Sequence, residues 1–510
     1  MRATYLKLFL PLSALMPALA HADAILTPAH GTPAPSQVDL PPATPRSTVV
    51  PPAGAITAPQ ADGLGAVHDA PDFGSVDSSP DAHPEQYARF VAELDTITKS
   101  NELNLFPALS VILNTTGDEL AVLSWMQKAA DAGNPAALHF LSNITQTGSQ
   151  DPDALKKAYA QARQAADKGY SPAIISAAGC LKFGIGVKAD EQAATNYLAK
   201  ACRGGDFRVR FQWLASTGRL SSIRDAERPE VKSEIERGNH LVAYMLSTLA
   251  PTPQERLDWL RRAADLGNDN ALVVLADLLS DKDSKSSMAL LLMACKSGNR
   301  EALYTYASIL LEKDPDPALK STGVGYNEKG GTYLLRLDAM HGHPGALLQL
   351  ASIYLNGRYG IKQNLEHAYR LFDFGSRFGS PDLVLGKAYC QMRGLGTKQD
   401  LKAADKTINQ YYEKGHPLAC LLKAYEAYKG LGVSASIDDV ESFCYEASAS
   451  GFPLAYLHLA CIIAKGMEGV KPDPERAETY VQMAELSLGP AARKIFNRMM
   501  QQPEWEPFVI

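Results

Sequence analysis

The chain has 510 residues, of which 46% are hydrophobic, 21% charged and 8% aromatic. This composition excludes wholesale disorder, and the length corresponds to roughly three ordinary domains. The net charge is -6, from 50 basic and 56 acidic side chains. Such a balance provides no overall attraction to nucleic acid or to an anionic membrane, so neither is predicted as a partner.

Residues 1–22 have the pattern of a secretory signal peptide. Arg2 and Lys7 precede an apolar run from Leu8 to Ala20, and we expect cleavage after Ala22. The run is too short and too interrupted by proline for a membrane anchor. We therefore expect an exported protein, periplasmic or alternatively secreted, with no membrane insertion after cleavage. The mature chain would have 48 basic and 56 acidic side chains, a net charge of -8.

The next segment, residues 23–84, is rich in proline and alanine. It has one basic side chain, Arg46, and one aromatic side chain, Phe73. A segment of this composition cannot bury a hydrophobic core. We predict a disordered linker, locally extended by proline.

Glycines followed closely by proline recur along the chain. Gly379, Gly415 and Gly451 are spaced 36 residues apart, and each is followed two residues later by proline. A helix often ends on glycine in a left-handed conformation, and proline is tolerated at the first position of the next helix. The pattern predicts a junction between two helices.

A second glycine element lies between these junctions. It has the form Gly-x-Gly, and a potential helix-capping residue follows it. The pairs include Gly184 and Gly186, Gly394 and Gly396, and Gly430 and Gly432. Four residues after each cap stands a small residue, and the partner helices carry Ala388, Ala424 and Ala460 at one shared position. Small residues at fixed helical positions predict close helix contacts.

These elements predict an all-α chain of antiparallel helix pairs with about 36 residues per repeat. Since one pair cannot bury its own apolar face, the pairs must stack, and we predict a right-handed α/α superhelix, or solenoid. A phosphate-binding loop is the alternative interpretation of Gly-x-Gly, but these turns lack the Gly-Lys-Ser/Thr ending that such loops require.

The turns, the capped helices and the Ala-Ala-x-x-Gly helix endings at residues 129–133, 165–169 and 263–267 resemble the Sel-one-like repeat, a relative of the tetratricopeptide repeat. The resemblance implies helical repeats at residues 85–205, divergent repeats at residues 206–331 and regular repeats at residues 332–500. A long loop is predicted at residues 314–331, at the end of the divergent part. Residues 501–510 are predicted to form a capping tail. The chain lacks the paired cysteines that the cysteine-rich secreted members of this family have in each repeat. The family members that bacteria export are similar to scaffolds of polysaccharide-export machinery, periplasmic signalling regulators and host-contact proteins.

No local motif for catalysis, a cofactor or a metal is present, so none of these is predicted. Seven cysteines are an odd number, so at least one thiol is left over, and no C-x-x-C pair exists. Because each cysteine lies in an apolar helical pattern, buried free thiols are the favoured interpretation, and a set of disulfides is the alternative. His341 and His343 are the pair most like metal ligands, but their position in a turn between repeats favours exposed turn histidines.

Two surface features carry alternative interpretations. Arg203, Arg208, Arg210 and Arg219 are weak candidates for partner binding, with Phe207, Phe211 and Trp213 interleaved. Alternatively, these arginines are solvated and pair with the acids of residues 225–236. Tyrosines 354, 389, 425 and 456 suggest an aromatic strip, for which the core is the favoured location.

The features together predict an exported repeat scaffold for protein–protein interactions. The resemblance suggests a cell-envelope or polysaccharide-export assembly, or its regulation. A secreted host-interaction factor is one alternative. A cell-wall or polysaccharide-active enzyme, with a site assembled from distant residues, is the other.

Overall fold

The chain folds into consecutive α-helices. The computed structural model describes residues 77–101, 104–149, 151–202, 205–218, 229–280, 282–313, 317–431, 436–467, 469–501 and 507. Over these residues the β-structure is limited to an isolated bridge between Met467 and Val470. None of the described helices combines the length and the apolar character needed to cross a membrane. The signal-peptide prediction and most of the predicted linker lie outside the described residues.

The chain divides into two compact units, one that ends at His343 and one that begins at Pro344. The helices of the first unit are α1 (Pro84–Ser100), α2 (Phe106–Thr116), α3 (Val122–Asp131), α4 (Pro135–Gly148), α5 (Pro152–Asp167), α6 (Ser171–Phe183), α7 (Glu191–Ala201), α8 (Phe207–Ser216), α9 (Pro229–Glu236), α10 (His240–Leu249), α11 (Pro253–Asp265), α12 (Asp269–Leu279), α13 (Ser284–Lys296), α14 (Arg300–Leu310), α15 (Pro317–Lys320) and α16 (Glu328–Met340). We call it the N-terminal unit.

The second unit, here the C-terminal unit, contains α17 (Pro344–Asn356), α18 (Leu365–Ser376), α19 (Pro381–Arg393), α20 (Leu401–Tyr412), α21 (Pro417–Lys429), α22 (Ile437–Ala449), α23 (Ala455–Lys465), α24 (Pro474–Leu488) and α25 (Ala491–Met500). Its helices pack most closely as successive pairs, the first being α17 with α18. The predicted all-helical stack of helix pairs is thus confirmed.

The predicted helix boundaries are confirmed in detail. The second helix of each regular pair starts at a side chain that accepts a hydrogen bond from a backbone N–H of its first turn, as do Asn364 from His367 and Asp400 from Ala403. Asp190, Ser436 and Asp473 do the same. Predicted junction and turn glycines have positive φ angles, namely Gly184, Gly186, Gly379, Gly394, Gly396, Gly415, Gly430 and Gly451. Gly432 lies outside the described residues.

Small residues let the two helices of a pair approach closely, as predicted. Ala388, Ala424 and Ala460 are fully buried, as are Ala368 and Ala404 on the partner helices. Each of these sites has no room for a larger side chain without movement of the facing helix.

The second glycine of the Gly-x-Gly turn has a further role in stacking. A Cβ atom on Gly396 would overlap the backbone carbonyl of Leu365, which begins the second helix of the preceding pair. Gly186 stands in the same relation to Leu155. The turn therefore touches the backbone of the previous repeat, and this contact sets how closely neighbouring repeats stack.

The predicted loop at residues 314–331 is shorter than expected. Asn327 accepts a hydrogen bond from the backbone N–H of Gly330 and so caps α16, which begins at Glu328. Gly330 and Gly331 are therefore helical, and the prediction was wrong at this end. Gly331 allows close approach to α14, because a Cβ there would lie 2.7 Å from the side chain of Leu311. The predicted boundary at 331/332 falls inside α16.

Candidate interaction surfaces

The second helix of the N-terminal unit, α2, is enclosed by the rest of that unit. It packs against α1 and also against α16, which lies more than 200 residues later in sequence. Leu109, Ile112 and Leu113 have almost no exposed surface. In a linear stack each repeat contacts only its neighbours, so this helix adds contacts that such a stack lacks.

The residues that lead into α2 contact distant repeats. The side-chain oxygen of Asn101 accepts a hydrogen bond from the backbone N–H of Ser171, at the start of α6. The side-chain amide of Asn104 donates to the backbone carbonyl of Ser297, in the turn before α14, at 2.8 Å. Asn101 itself has a positive φ of 57°, which is uncommon outside glycine. This segment therefore bridges repeats that are far apart in sequence.

The residues that follow α2 complete the bridge. The guanidinium of Arg336, on α16, donates to a carboxylate oxygen of Glu119 at 2.9 Å and to the backbone carbonyl of Gly117. Both charged side chains are buried. We call residues 101 and 104–121, with α2 at their centre, the bridging segment.

Arg208, predicted as a weak candidate for partner binding, belongs to this internal network. Its guanidinium binds the Asp206 carboxylate at 2.8 Å and also donates to the backbone carbonyl of Asn101. Arg210 is half-buried on the same helix. Arg203 and Arg219 lie outside the described residues. Arg208 thus binds Asp206 and the bridging segment.

The aromatic residues interleaved with these arginines belong to a local core. Phe207 and Leu214 of α8 are buried with Val231, Ile235, Val242 and Leu246. Phe211 and Trp213 pack against this cluster. The divergent part of the chain thus keeps a hydrophobic core although its repeat pattern is degraded.

His343 is not an exposed turn histidine, and that prediction was wrong. Its ring is 4% exposed, and its Nδ1 lies 2.6 Å from the buried carboxylate of Asp338. Its Nε2 lies 3.6 Å from a carboxylate oxygen of Glu301, and the ring of Tyr304 packs edge-on against it. The contacts of His343 with Glu301 and Tyr304 join α14 to the turn that follows α16. His341 is half-buried.

The electrostatics of this cluster determine the protonation of His343. Burial by itself lowers the pKa of the imidazole, but the adjacent Asp338 carboxylate more than offsets this and raises the pKa to about 9. His343 is therefore a cation at neutral pH. A cationic imidazole has no lone pair to accept a proton or bind a metal, so the geometry supports a structural role.

The predicted tyrosine strip is mostly core. Tyr354, Tyr389 and Tyr425 are buried, as the favoured interpretation required, whereas Tyr456 is half-buried. Beside Tyr456 lies Tyr445 of α22, which is 41% exposed and was not predicted as a surface residue.

Tyr445 is the centre of a small aromatic surface on the C-terminal unit. Its ring packs edge-on against the rings of Tyr456 and Tyr480, and its hydroxyl lies 3.4 Å from the hydroxyl of Tyr480. Next to it, Arg476 is paired with Glu441. Rings that are held in place by neighbours and exposed at one edge are typical of protein interfaces. We call this cluster, in which Tyr445 is exposed, Tyr456 half-buried and Tyr480 buried, the tyrosine surface.

The cysteines are free thiols, as predicted. All seven are unpaired; Cys202 is half-buried and the other six are buried. Burial raises the pKa of the Cys180 and Cys420 thiols to about 11 and that of Cys390 to about 12. Such thiols are protonated at neutral pH and react slowly.

Comparison with known proteins identifies the repeat. The family model for the Sel1 repeat matches six segments, residues 123–134, 172–206, 257–268, 344–375, 384–404 and 453–485. The predicted resemblance is thereby confirmed. A comparison with curated proteins gives no match.

Two solved structures are similar to the chain. One is a protective antigen of uropathogenic Escherichia coli strains that displays an SLR fold, with 20% sequence identity and a TM-score of 0.36, over 80% of this chain and 90% of that one. The other is a Sel1 repeat protein from Oxalobacter formigenes, with 20% identity and a TM-score of 0.34, over 50% of this chain and 95% of that one.

Proposed function

We propose that this chain, which is built from Sel1 repeats, is an exported scaffold that holds other proteins within a cell-envelope assembly. Sel1 repeats form a scaffold suited to protein–protein interaction. The observation that carries the proposal is that the glycines, caps and alanines that define the repeat are used to stack helices. The side chains on the outward faces of the helices are not needed for stacking, so their identity can vary with the partner that is bound.

The C-terminal unit is the proposed partner-binding part. In the N-terminal unit the bridging segment contacts several repeats, and its Glu119 forms a buried ion pair with Arg336 of α16. The C-terminal unit instead presents the tyrosine surface, where Tyr445 is exposed. Tyrosine provides a large contact area with little loss of side-chain entropy, which makes it frequent at interface centres.

We propose a non-catalytic role. The titratable cluster around His343 is the arrangement in the described chain that most resembles catalytic machinery, since it pairs an imidazole with a carboxylate. Because Asp338 keeps His343 protonated and the ring is buried, this pair is poorly suited to act as a general base. Its proposed function is to tie α14 to α16.

Export is the part of the proposal that depends on residues 1–22. Their basic start, apolar run and alanines are the support for it. An exported chain with seven unpaired cysteines must keep them from oxidation, and burial of six of them serves that end.

The test is an affinity purification of the tagged full-length protein after crosslinking in the native cell, with periplasm, membrane and medium analysed separately by mass spectrometry. We expect a chain that begins at Asp23 in the periplasm, together with a stoichiometric envelope protein. A chain that retains Arg2 and remains in the cytoplasm would overturn the proposed export. Recovery mainly from the medium would favour the host-interaction alternative, and recovery of glycan fragments without protein would favour the enzyme alternative.

A further inference from the structure

Aromatic side chains flank helix α22 on both of its sides. On the side of α24, the ring of Tyr445 packs edge-on against Tyr480, with 6.1 Å between the ring centres. On the side of α20, the ring of Phe443 packs edge-on against Tyr412, with 5.6 Å between the centres. The outward face of α22 therefore lies between two groups of aromatic rings, and one of these groups is the tyrosine surface.

The charged side chains of α22 are all acidic. The helix has four of them, Asp438, Asp439, Glu441 and Glu446, and no basic residue. Asp438, Asp439 and Glu446 are exposed, whereas Glu441 is half-buried. The aromatic groups thus border a face of negative charge.

Neighbouring cations neutralise one of these four acids. Arg476 of α24 pairs with Glu441. Within the described part of the chain, the other three acids of α22 are in no ion pair, with the lysines of α20 or with any other cation. The carboxylate of Glu446 accepts a hydrogen bond from the hydroxyl of Tyr412 at 2.8 Å, which holds it beside the rings without neutralising it.

One arginine of the chain already binds to this part of α22. Arg476 pairs with Glu441, and its guanidinium also donates a hydrogen bond to the hydroxyl of Tyr480. One helical turn further along α22, Tyr445 and Glu446 present the same two groups, a tyrosine and a carboxylate, to solvent. An arginine from another protein would find the same chemistry there, because guanidinium groups pair with carboxylates and stack on aromatic rings.

A second exposed acid lies on the same face as Glu446. Asp439 precedes it by seven residues, which is close to two helical turns and about 10.5 Å along the helix axis. In an extended chain of the polyproline type, residues three apart point to the same side and lie about 9.3 Å apart. Two arginines with this spacing would therefore face Asp439 and Glu446 at the same time.

We propose that the face of α22 formed by Asp439, Tyr445 and Glu446 binds an extended, arginine-containing segment of a partner protein. This inference rests on the proposed scaffold function and adds the chemistry of the partner at the tyrosine surface. Charge complementarity determines the choice of ligand, because the face combines carboxylates that are in no ion pair with an exposed ring that its neighbours hold in place.

The test uses a fluorescein-labelled peptide of about 12 residues with arginine at every third position and prolines between them, which favour the extended conformation. Its binding to the full chain is followed by fluorescence anisotropy. We expect binding that weakens as salt is raised, since exposed charge pairs are screened. A peptide with glutamine in place of each arginine should bind at least about tenfold more weakly.

Two variants test the residues of the face. D439N/E446Q removes both charges and keeps the shapes of the side chains, and we expect it to bind the arginine peptide at least about tenfold more weakly. Tyr445→Ala should weaken binding by a similar factor, because the ring is lost. The matched control is E255Q/E366Q, which neutralises two exposed acids in the first turns of α11 and α18; we expect a change below about twofold.

Three results would overturn the inference: no binding of the arginine peptide, equal binding of the glutamine peptide, or equal affinities of D439N/E446Q and the control variant. Self-association of the chain that Tyr445→Ala abolishes, measured by sedimentation, would assign the face to a second copy and would also overturn it. The melting temperatures of D439N/E446Q and the control should equal that of the unmodified chain, because all four side chains are exposed. The proposed scaffold function fails separately, if the crosslinking experiment recovers no protein partner.

Discussion

Arg336 and Glu119 form a buried ion pair, in which Nε of Arg336 lies 2.9 Å from a carboxylate oxygen of Glu119 although 217 residues separate them in sequence. Arg336 also donates to the backbone carbonyl of Gly117, so one side chain holds the end of α2 against α16. The pair therefore links the residues that follow α2 to α16, the last helix of the N-terminal unit.

We expect Arg336→Met to destabilise the N-terminal unit by about 3–5 kcal/mol, because it leaves the Glu119 carboxylate buried without its partner. Denaturant unfolding followed by tryptophan fluorescence, to which buried Trp125 contributes, measures this. Lys156→Ala, which breaks an exposed pair with Asp153, is the control and should change stability by less than about 1 kcal/mol. Equal effects of the two variants would show that the bridging segment is not bound as described.

We expect Gly396→Ala to destabilise the C-terminal unit more than Gly415→Ala. Both glycines have positive φ, 67° and 71° respectively, so alanine at either costs about 1–2 kcal/mol. At Gly396 the added Cβ also overlaps the backbone of Leu365, whereas at Gly415 it meets no atom within 4 Å. Thermal melts compare the variants, and equal losses would contradict the stacking contact.

Overpacking tests the register of the repeats. Ala388→Trp and Ala424→Trp should each destabilise the protein by several kcal/mol, at least about 3, since both alanines are fully buried between helices. Leu486→Trp is the control, because Leu486 is 90% exposed on α24. A thermal melt in which the three variants behave alike would contradict the assignment of these alanines to the helix contacts.

The stability of the protein should depend on pH through the protonation of His343. In the folded chain the pKa of His343 is about 9, above the ordinary value of 6.5. The His343–Asp338 pair therefore makes its full contribution to the free energy of unfolding below about pH 6.5. This contribution is lost as the pH rises through about 9. Denaturant unfolding at pH 6, 7.5 and 9.5 should show a decline that is absent in His343→Gln. A decline of the same size in His343→Gln would show that titratable groups other than His343 cause the loss of stability.

The thiols should react according to their burial. With a thiol reagent at pH 8, Cys202 of the folded chain should be modified first, because it is half-buried whereas the other six cysteines are buried. All seven should react in denaturant. Rapid modification of several thiols in the folded chain would contradict their burial in the helix contacts.

Much of the repeat could be predicted from sequence, for a physical reason. The positions that form it recur at a fixed spacing, and each requires a restricted choice of residue. Gly394 needs a positive φ, Asp400 must accept a backbone hydrogen bond, and Ala388 must fit between helices. Local geometry of this kind leaves a signal in a single sequence.

The bridging segment could not be predicted in the same way. The contacts of Asn101 with Ser171 and of Glu119 with Arg336 occur once, and no local rule pairs residues so far apart. His343 was misjudged for a different reason. The residue directly after the junction glycine is buried in other repeats too, as Tyr170 and Ser380 are, and at His343 the ring also contacts Asp338 and Tyr304. The sequence did contain one indication of the bridging segment. Helix α2 is apolar, and an apolar helix is usually buried within the fold.

The central claim, that the C-terminal unit binds a partner protein, is tested most directly by site-specific photocrosslinking in the native cell. A photoreactive residue at Tyr445 is compared with one at Phe183, which is 59% exposed on the N-terminal unit. We predict that the photoreactive residue at Tyr445 captures one protein and that the residue at Phe183 does not capture it. The captured protein should also bind the purified chain, and it should not bind the variant Tyr445→Ala. Capture of that protein at Phe183 alone, or of no protein at Tyr445, would contradict the claim.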